Sequence, residues 1–161
     1  MATLLKNLSE TNLKKSNLFK KVKIGIVVSE WNPEITHSLM NAAISFLIEN
    51  GVKEKHIEVK FVPGSFELPL GAQWLVVKNH DAVIALGCVI QGETKHFDFI
   101  CQACANGIMQ VGLQSQKPVI FGVLTTLNQK QAQERAGGKH GNKGIEAAET
   151  ALKMLELKST I

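Results

Sequence analysis

Ala82-Val83-Ile84-Ala85-Leu86-Gly87-Cys88-Val89-Ile90-Gln91-Gly92-Glu93-Thr94-Lys95-His96-Phe97-Asp98-Phe99 reads as an apolar run, a glycine turn and the opening of a helix, in that order. An unbroken apolar run closed by a turn fits a strand, here about Ala82 to Ile90, buried on both faces as in a parallel sheet. The helix behind it reaches roughly Gln114, with Phe97, Ile100, Cys101, Cys104, Ile108 and Val111 recurring at three- and four-residue steps. A strand feeding a helix is the repeating unit of an α/β chain, and the flanking sequence repeats it.

Upstream, Val22 to Ser29 is a buried strand, and Asn32 is placed to cap a helix that has Pro33 at its first position. Ile35, Leu39, Ala42, Ala43, Phe46 and Leu47 give that helix one apolar face, and Gly51 stops it. Ile57 to Val62 is a second strand. After it come a Pro63-Gly64 turn and a short helix that Ser65 would cap, whose apolar side includes Leu70 and Trp74 and which tolerates Pro69 near its first turn. Downstream, Pro118 to Leu124 is a fourth strand, a helix starts near Asn128, and the loop Ala136 to Asn142 precedes a last helix from Lys143 to about Leu157. Four parallel strands with helices on both faces predict a flavodoxin-like, three-layer αβα sandwich.

The chain has 161 residues, 45% of them hydrophobic, enough for one compact α/β domain and too few for two. We place that domain at 22–161, behind a basic arm at 1–21. The charge pattern supports the division: six lysines face one acid through Lys23, and the remainder is close to neutral. The formal charge of +4 and the pI near 9.0 therefore belong to the arm and do not predict a nucleic-acid partner. The arm is solvated, laid on a neighbouring subunit or set against an acidic partner. With no signal-like segment or membrane-length apolar run, and three cysteines, a cytoplasmic protein with reduced thiols and no membrane partner is expected.

Parallel sheets bind ligands at the carboxyl ends of their strands. Here those ends carry Ser29 to Asn32, Val62 to Glu67, Cys88 to His96, and Leu124 to Thr126. The start of a helix offers free N–H groups and a partial positive charge to an anion, and His96 stands where it could move protons for the attached group. The plainer reading of His96 is a surface residue near a cap. His37, His56, His80 and His140 lack a strand-end setting and are expected mostly in solvent, with His140 set apart by its unusual glycine-rich loop.

Cys101 and Cys104 form a C-x-x-C without a second pair at zinc spacing, and they lie on the apolar stripe, so packed, inert thiols are expected and no metal. Cys88 reads as pocket wall. Arg135 is the single arginine beside seventeen lysines, either a fork for phosphate or a cation on a helix end. Lys143 opens a helix, where its charge opposes the dipole, as a residue kept for a ligand would. Trp31 sits at the rim, as a platform for a flat heterocycle or a lid on the sheet edge.

Taken in order, Trp31-Asn32, Val62 to Pro69, Gly87 to Phe99, Phe121 to Thr125, Glu134 to Gly137 and Gly141 to Gly144 resemble the 6,7-dimethyl-8-ribityllumazine synthases, which perform the penultimate step of riboflavin biosynthesis. The resemblance runs from about Val22 to Leu157. It implies condensation of 5-amino-6-(D-ribitylamino)uracil with 3,4-dihydroxy-2-butanone 4-phosphate, without metal or organic cofactor. It further implies Trp31 and Asn32 at the pyrimidine, Ser65, Phe66 and Glu67 with Cys88, Val89 and Ile90 along the ring and ribityl chain, and Phe121 from an adjacent subunit. Glu93 and Thr94, chiefly through backbone N–H groups, and Arg135 would hold the phosphate, with Lys143 near the ligand and His96 catalytic. A homo-oligomer follows, a pentamer or an icosahedral shell built from pentamers, with each site shared between neighbours. The chain departs from the family pattern at Gln91, Lys95 and Gly138, where arginine, proline and threonine are usual. Two other readings are a flavin- or nucleotide-binding module of the same fold and a shell protein without catalysis.

Overall fold

The computed structural model describes residues 7–11, 13 and 16–161; the remaining positions of the expected arm lie outside it. Strands β1 (Ile24–Ser29), β2 (Ile57–Val62), β3 (Ala82–Ile90) and β4 (Val119–Thr126) form one parallel sheet in the order β2-β1-β3-β4. Helices α1 (Pro33–Glu49), α2 (Leu68–Val77), α3 (His96–Ser115), α4 (Gln129–Glu134) and α5 (Lys143–Lys158) follow the strands, completing the three-layer αβα sandwich. Two short strands, β5 (Ala136–Gly138) and β6 (Gly141–Asn142), stand where the sequence predicted a plain loop. Their glycines carry no apolar alternation, so no period-2 signal announced them.

Each face of the sheet has its own core. Ile24, Ile26, Val28, Ile84 and Leu86 pack with α1, α4 and α5 through residues such as Leu39, Ala132 and Leu152. Val27, Val83 and Ala85 pack with α2 and α3 through Leu68, Leu75, Cys104 and Ile108. Adjacent residues of β1 and β3 thus serve opposite layers, the period-2 rule in a strand buried on both sides.

Strands β2 and β3 begin and end where the sequence placed them. β4 continues two residues beyond the expected Leu124, because β3 still offers partners: Val89 pairs with Thr125 and Ile90 with Thr126. β1 begins at Ile24 instead of Val22. The helix after β2 differs more. Ser65–Glu67 is a 3-10 turn, and α2 starts only at Leu68, so Ser65 does not cap it. Leu70 and Trp74, expected on the buried side, are exposed, whereas Leu68, Gly71, Ala72, Leu75 and Val76 face the sheet. A helix apolar all round gives no periodicity from which to choose the inner face.

The described part of the N-terminal segment is attached to the domain. Asn17–Lys20 is a 3-10 turn capped by the Ser16 side chain, and Phe19 is fully buried in the α1/α5 core. Leu8 is buried as well. His80 is another departure: expected in solvent, it is 6% exposed, with Nδ1 2.8 Å from Leu75 O and Nε2 3.2 Å from Glu58 Oε2. No helix among the described residues is long and apolar enough to cross a membrane.

Candidate active site

At the carboxyl ends of the strands, the Trp31 loop is held in place from both sides. Glu30 N donates to Val62 O at 2.9 Å, tying the end of β1 to the end of β2. Asn32 adopts a left-handed conformation (φ 58°), which asparagine tolerates better than most residues. Its side chain does not cap α1, as the sequence suggested; Nδ2 reaches across to donate to Cys88 O at 3.0 Å. That bond fixes the loop to β3 and leaves Trp31 outward, 73% exposed.

The turn after β2 closes against the same loop. Glu67 Oε2 accepts from Gly64 N at 3.0 Å, and Gly64 lies beside the Trp31 ring. Phe66 is exposed next to it. Gly87 is required by the fold here. A Cβ on it would stand 2.8 Å from both Leu68 Cδ1 and Ser65 Oγ, closer than packed atoms come, and 3.3 Å from Ser29 Oγ.

Among the described residues, the buried side-chain polar atoms without a protein partner are Ser29 Oγ, Ser65 Oγ, Thr126 Oγ1 and His56 Nδ1. The three hydroxyls stand at the carboxyl ends of β1 and β4 and in the turn after β2. Buried hydroxyls are nearly always paired, so an unpaired group of them marks the rim as the place where the fold accepts a polar cost. Sequence reading placed all three at the strand-end rim but singled out only Ser65 as a contact residue. The available signal was a hydroxyl residue closing an otherwise apolar strand.

Beyond β3, Gln91 N donates to Thr126 O at 2.8 Å and the chain then leaves the sheet. Residues 91 to 96 are all exposed. His96 is the first residue of α3, and its N–H approaches Thr94 Oγ1 at 3.4 Å. None of the N–H groups of Gly92, Glu93 and Thr94 donates to a protein acceptor among the described residues. The turn therefore offers three free donors beside an imidazole, as anion binding needs.

Cys88, Val89 and Ile90 face different layers. Cys88 and Ile90 pack in the α1/α5 core and Val89 in the α2/α3 core. Burial pushes the Cys88 thiol up to about 12, and burial together with neighbouring Cys101 does the same to Cys104. Burial, with the Asp98 charge behind it, also raises Cys101. These thiols stay protonated at neutral pH and are poor nucleophiles. Among the described residues, no three His, Cys, Asp or Glu side chains gather as metal ligands would.

Phe121, Lys143 and Arg135 are placed elsewhere. Phe121 and Lys143 line an apolar groove of about 910 Å³ along the edge strand β4, between α3 and α5, with Ile108, Leu113 and Met154. Lys143 Nζ is 2.5 Å from Glu146 Oε1, a groove residue not singled out in the sequence. Arg135 ends α4 on the α1/α5 side of the sheet, with Nη1 donating to Gln131 O at 3.1 Å. His96 opens α3, which packs on the opposite face. A single chain thus brings together Trp31, Asn32, Ser65 to Glu67 and Cys88 to His96, with Phe121, Lys143 and Arg135 on other surfaces.

This division accompanies a full-length match to known proteins. The family model of 6,7-dimethyl-8-ribityllumazine synthase matches residues 21–159. The chain belongs to that family. It is 59% identical to the 6,7-dimethyl-8-ribityllumazine synthase of Cytophaga hutchinsonii over 96% of this chain and 98% of that one. It is 52% identical to that of Porphyromonas gingivalis, covering 98% and 99% of the two chains, and 48% identical to that of Parabacteroides distasonis, covering 99% and 100%. Membership explains why a cofactor-binding module was a tempting alternative: the family's sheet is the flavodoxin-like sheet, and fold alone does not separate the two functions.

Proposed function

We propose that the chain condenses 5-amino-6-(D-ribitylamino)uracil with 3,4-dihydroxy-2-butanone 4-phosphate, releasing 6,7-dimethyl-8-ribityllumazine, phosphate and water in the penultimate step of riboflavin biosynthesis. The observation that carries this reading is the family match over residues 21–159. The chemistry supports it in kind. The amine adds to the ketone, water leaves to give an imine, phosphate is eliminated, and ring closure releases a second water. Every step moves protons and none needs an electron acceptor or a strong nucleophile, in keeping with the protonated thiols.

In this reading Trp31 stacks on the pyrimidine and Asn32 holds the loop that presents it. Ser65, Phe66 and Glu67 with Cys88, Val89 and Ile90 follow the ring and the ribityl chain, with Cys88 contributing backbone because its thiol faces the core. The free N–H groups at Glu93 and Thr94 take the phosphate together with Arg135. His96 is the proton carrier, an imidazole exposed to incoming substrate. Binding two oriented reactants supplies much of the remaining acceleration.

Phe121, Lys143 and Arg135 join the site from a neighbouring subunit of a homo-oligomer, pentameric or assembled further into a shell, in the cytoplasm. Two features of the single chain favour a neighbour: among the described residues β4 is an unpaired edge flanked by an apolar groove, and Trp31, Phe66, Trp74 and Phe99 are exposed. The test is to mix purified protein with both substrates and follow lumazine absorbance together with phosphate release. Product formation no faster than the spontaneous reaction would falsify the reading, and mass in solution tests the pentamer.

A further inference from the structure

Arg135 and Lys143 stand at the two feet of the β5–β6 hairpin, where Lys143 N donates to Arg135 O at 2.9 Å. The hairpin has almost no apolar side chain of its own with which to hold its position. Its position is set by hydrogen bonds that converge on Asn142, which is buried. Asn142 Oδ1 accepts from Gly144 N at 2.8 Å and so caps α5. Asn142 Nδ2 approaches both the carbonyl and the hydroxyl of Ser38 at 3.3 Å, and Ser38 Oγ in turn donates to Ala136 O at 2.6 Å. On the outer side, Asn142 N donates to Ser9 Oγ at 3.0 Å, while Leu8 N donates to His140 O at 2.8 Å. Gly141, at φ +80°, leaves the space in which residues 7 to 9 lie; a Cβ there would collide with Asn7 Oδ1 and with the backbone nitrogens of Leu8 and Ser9.

Two serines far apart in sequence therefore grip one asparagine from opposite sides, and that asparagine joins the residues carrying the guanidinium and the ammonium. We infer that Ser38 and Ser9 are positioning residues for phosphate binding, acting through Asn142 on Arg135. This gives the described part of the N-terminal segment a role in substrate recognition, as a strap across the hairpin. The inference rests on the proposed phosphate-binding role of Arg135. The physical argument is that a fork-shaped donor loses affinity quickly when its base is free to tilt, while groups on the other face of the sheet are unaffected.

The experiment measures competitive inhibition by inorganic phosphate, and KM for each substrate, in full-length Ser38→Ala, Ser9→Ala, Ser38→Thr and Arg135→Ala. Ser38→Ala and Ser9→Ala are expected to weaken phosphate inhibition and raise KM for the phosphorylated substrate by about three- to tenfold, as the loss of one hydrogen bond does. Turnover at saturation and KM for the pyrimidine should hold within about twofold, and Ser38→Thr should return phosphate inhibition to the parent value. Ser9 lies at the outside of the fold, so its variant reports even where Ser38→Ala folds poorly. If Arg135→Ala weakens phosphate inhibition and both serine variants leave it unchanged, the positioning role is wrong and Arg135 keeps its own. A common rise of both KM values with a lowered melting temperature also overturns it, as a general loss of structure. If Arg135→Ala itself leaves inhibition unchanged, its phosphate role fails and the positioning role falls with it.

Discussion

His80 and Ser29 are both buried polar residues, at opposite ends of the same sheet. At the amino end, His80 uses both ring nitrogens, on Leu75 O at 2.8 Å and on Glu58 Oε2 at 3.2 Å, and Glu58 also receives Lys78 Nζ at 2.8 Å and Lys60 Nζ at 3.3 Å. Lys23 N donates to Asp81 Oδ2 at 2.7 Å beside them. At the carboxyl end, the hydroxyls of Ser29, Ser65 and Thr126 are buried without a protein partner, and aromatic rings stand exposed around them. His56 Nδ1, also unpartnered, is the amino end's single exception among the described residues. One end is arranged for stability, while the other accepts unpaired polar groups and exposed apolar area, as sites that recognise a ligand commonly do.

If that contrast is one of function, changes at the carboxyl end should cost rate and affinity and changes at the amino end should cost stability. The largest effect is expected at His96. His96→Ala should lower turnover by about a hundredfold or more with KM for both substrates little changed, since a general acid–base group acts in the transition state. Steady-state rates with each substrate varied check this, and a parent-like turnover would remove His96 from the chemistry. Trp31→Ala comes next: about tenfold or more in KM for the pyrimidine, the scale of one lost stacking contact, with thermal stability unchanged because the ring is already exposed.

The amino-end network should respond in the opposite way. The Lys78 ammonium, with Lys60 and His80 behind it, holds the Glu58 carboxyl below the usual carboxylate range. A carboxylate whose folded value is depressed adds stability above its unfolded value, about 4.3, and loses it as pH falls through the lower folded value. Glu58→Gln should therefore cost on the order of 1 kcal/mol at pH 7, discounted for partial exposure, and the cost should fade as pH falls below the unfolded value and through the lower folded one. Urea midpoints of variant and parent across that range test the sign, with turnover expected to stay within about twofold. A large loss of turnover in Glu58→Gln would erase the distinction between the two ends.

How far this organisation could be read in advance depended on the kind of force involved. Strands β2 and β3, buried or bounded by clear turn residues, began and ended as their sequences predicted. The rim residues followed from topology, because the ends of parallel strands must meet. Features that depend on one tertiary contact were not legible. Asn32 occupies a cap position, yet its side chain serves Cys88; Ser65 precedes a helix, yet lies buried against Gly87. Trp74 lies on a helix with apolar residues all round, and only packing shows that it faces out. Motif order likewise cannot reveal that His96 and Arg135 lie on helices packed against opposite faces of the sheet.

The smallest expected change is also the most direct probe of the contrast. Ser29 is fully buried and its hydroxyl has no protein partner, so Ser29→Ala removes a desolvated group without breaking a bond. Its effect on stability should lie within about 0.5 kcal/mol of zero, and an increase is the favoured direction, because the folded state no longer bears the cost of burying an unpaired hydroxyl. His80→Ala, by comparison, removes a buried ring bonded at both nitrogens and should cost about 2 kcal/mol or more. Denaturant midpoints with unchanged slopes would measure both. A loss near 1 kcal/mol in Ser29→Ala would mean that the hydroxyl is paired in solution, through an ordered water or a neighbouring subunit. The carboxyl end would then be as well satisfied as the amino end, and the unpaired hydroxyls would no longer distinguish it.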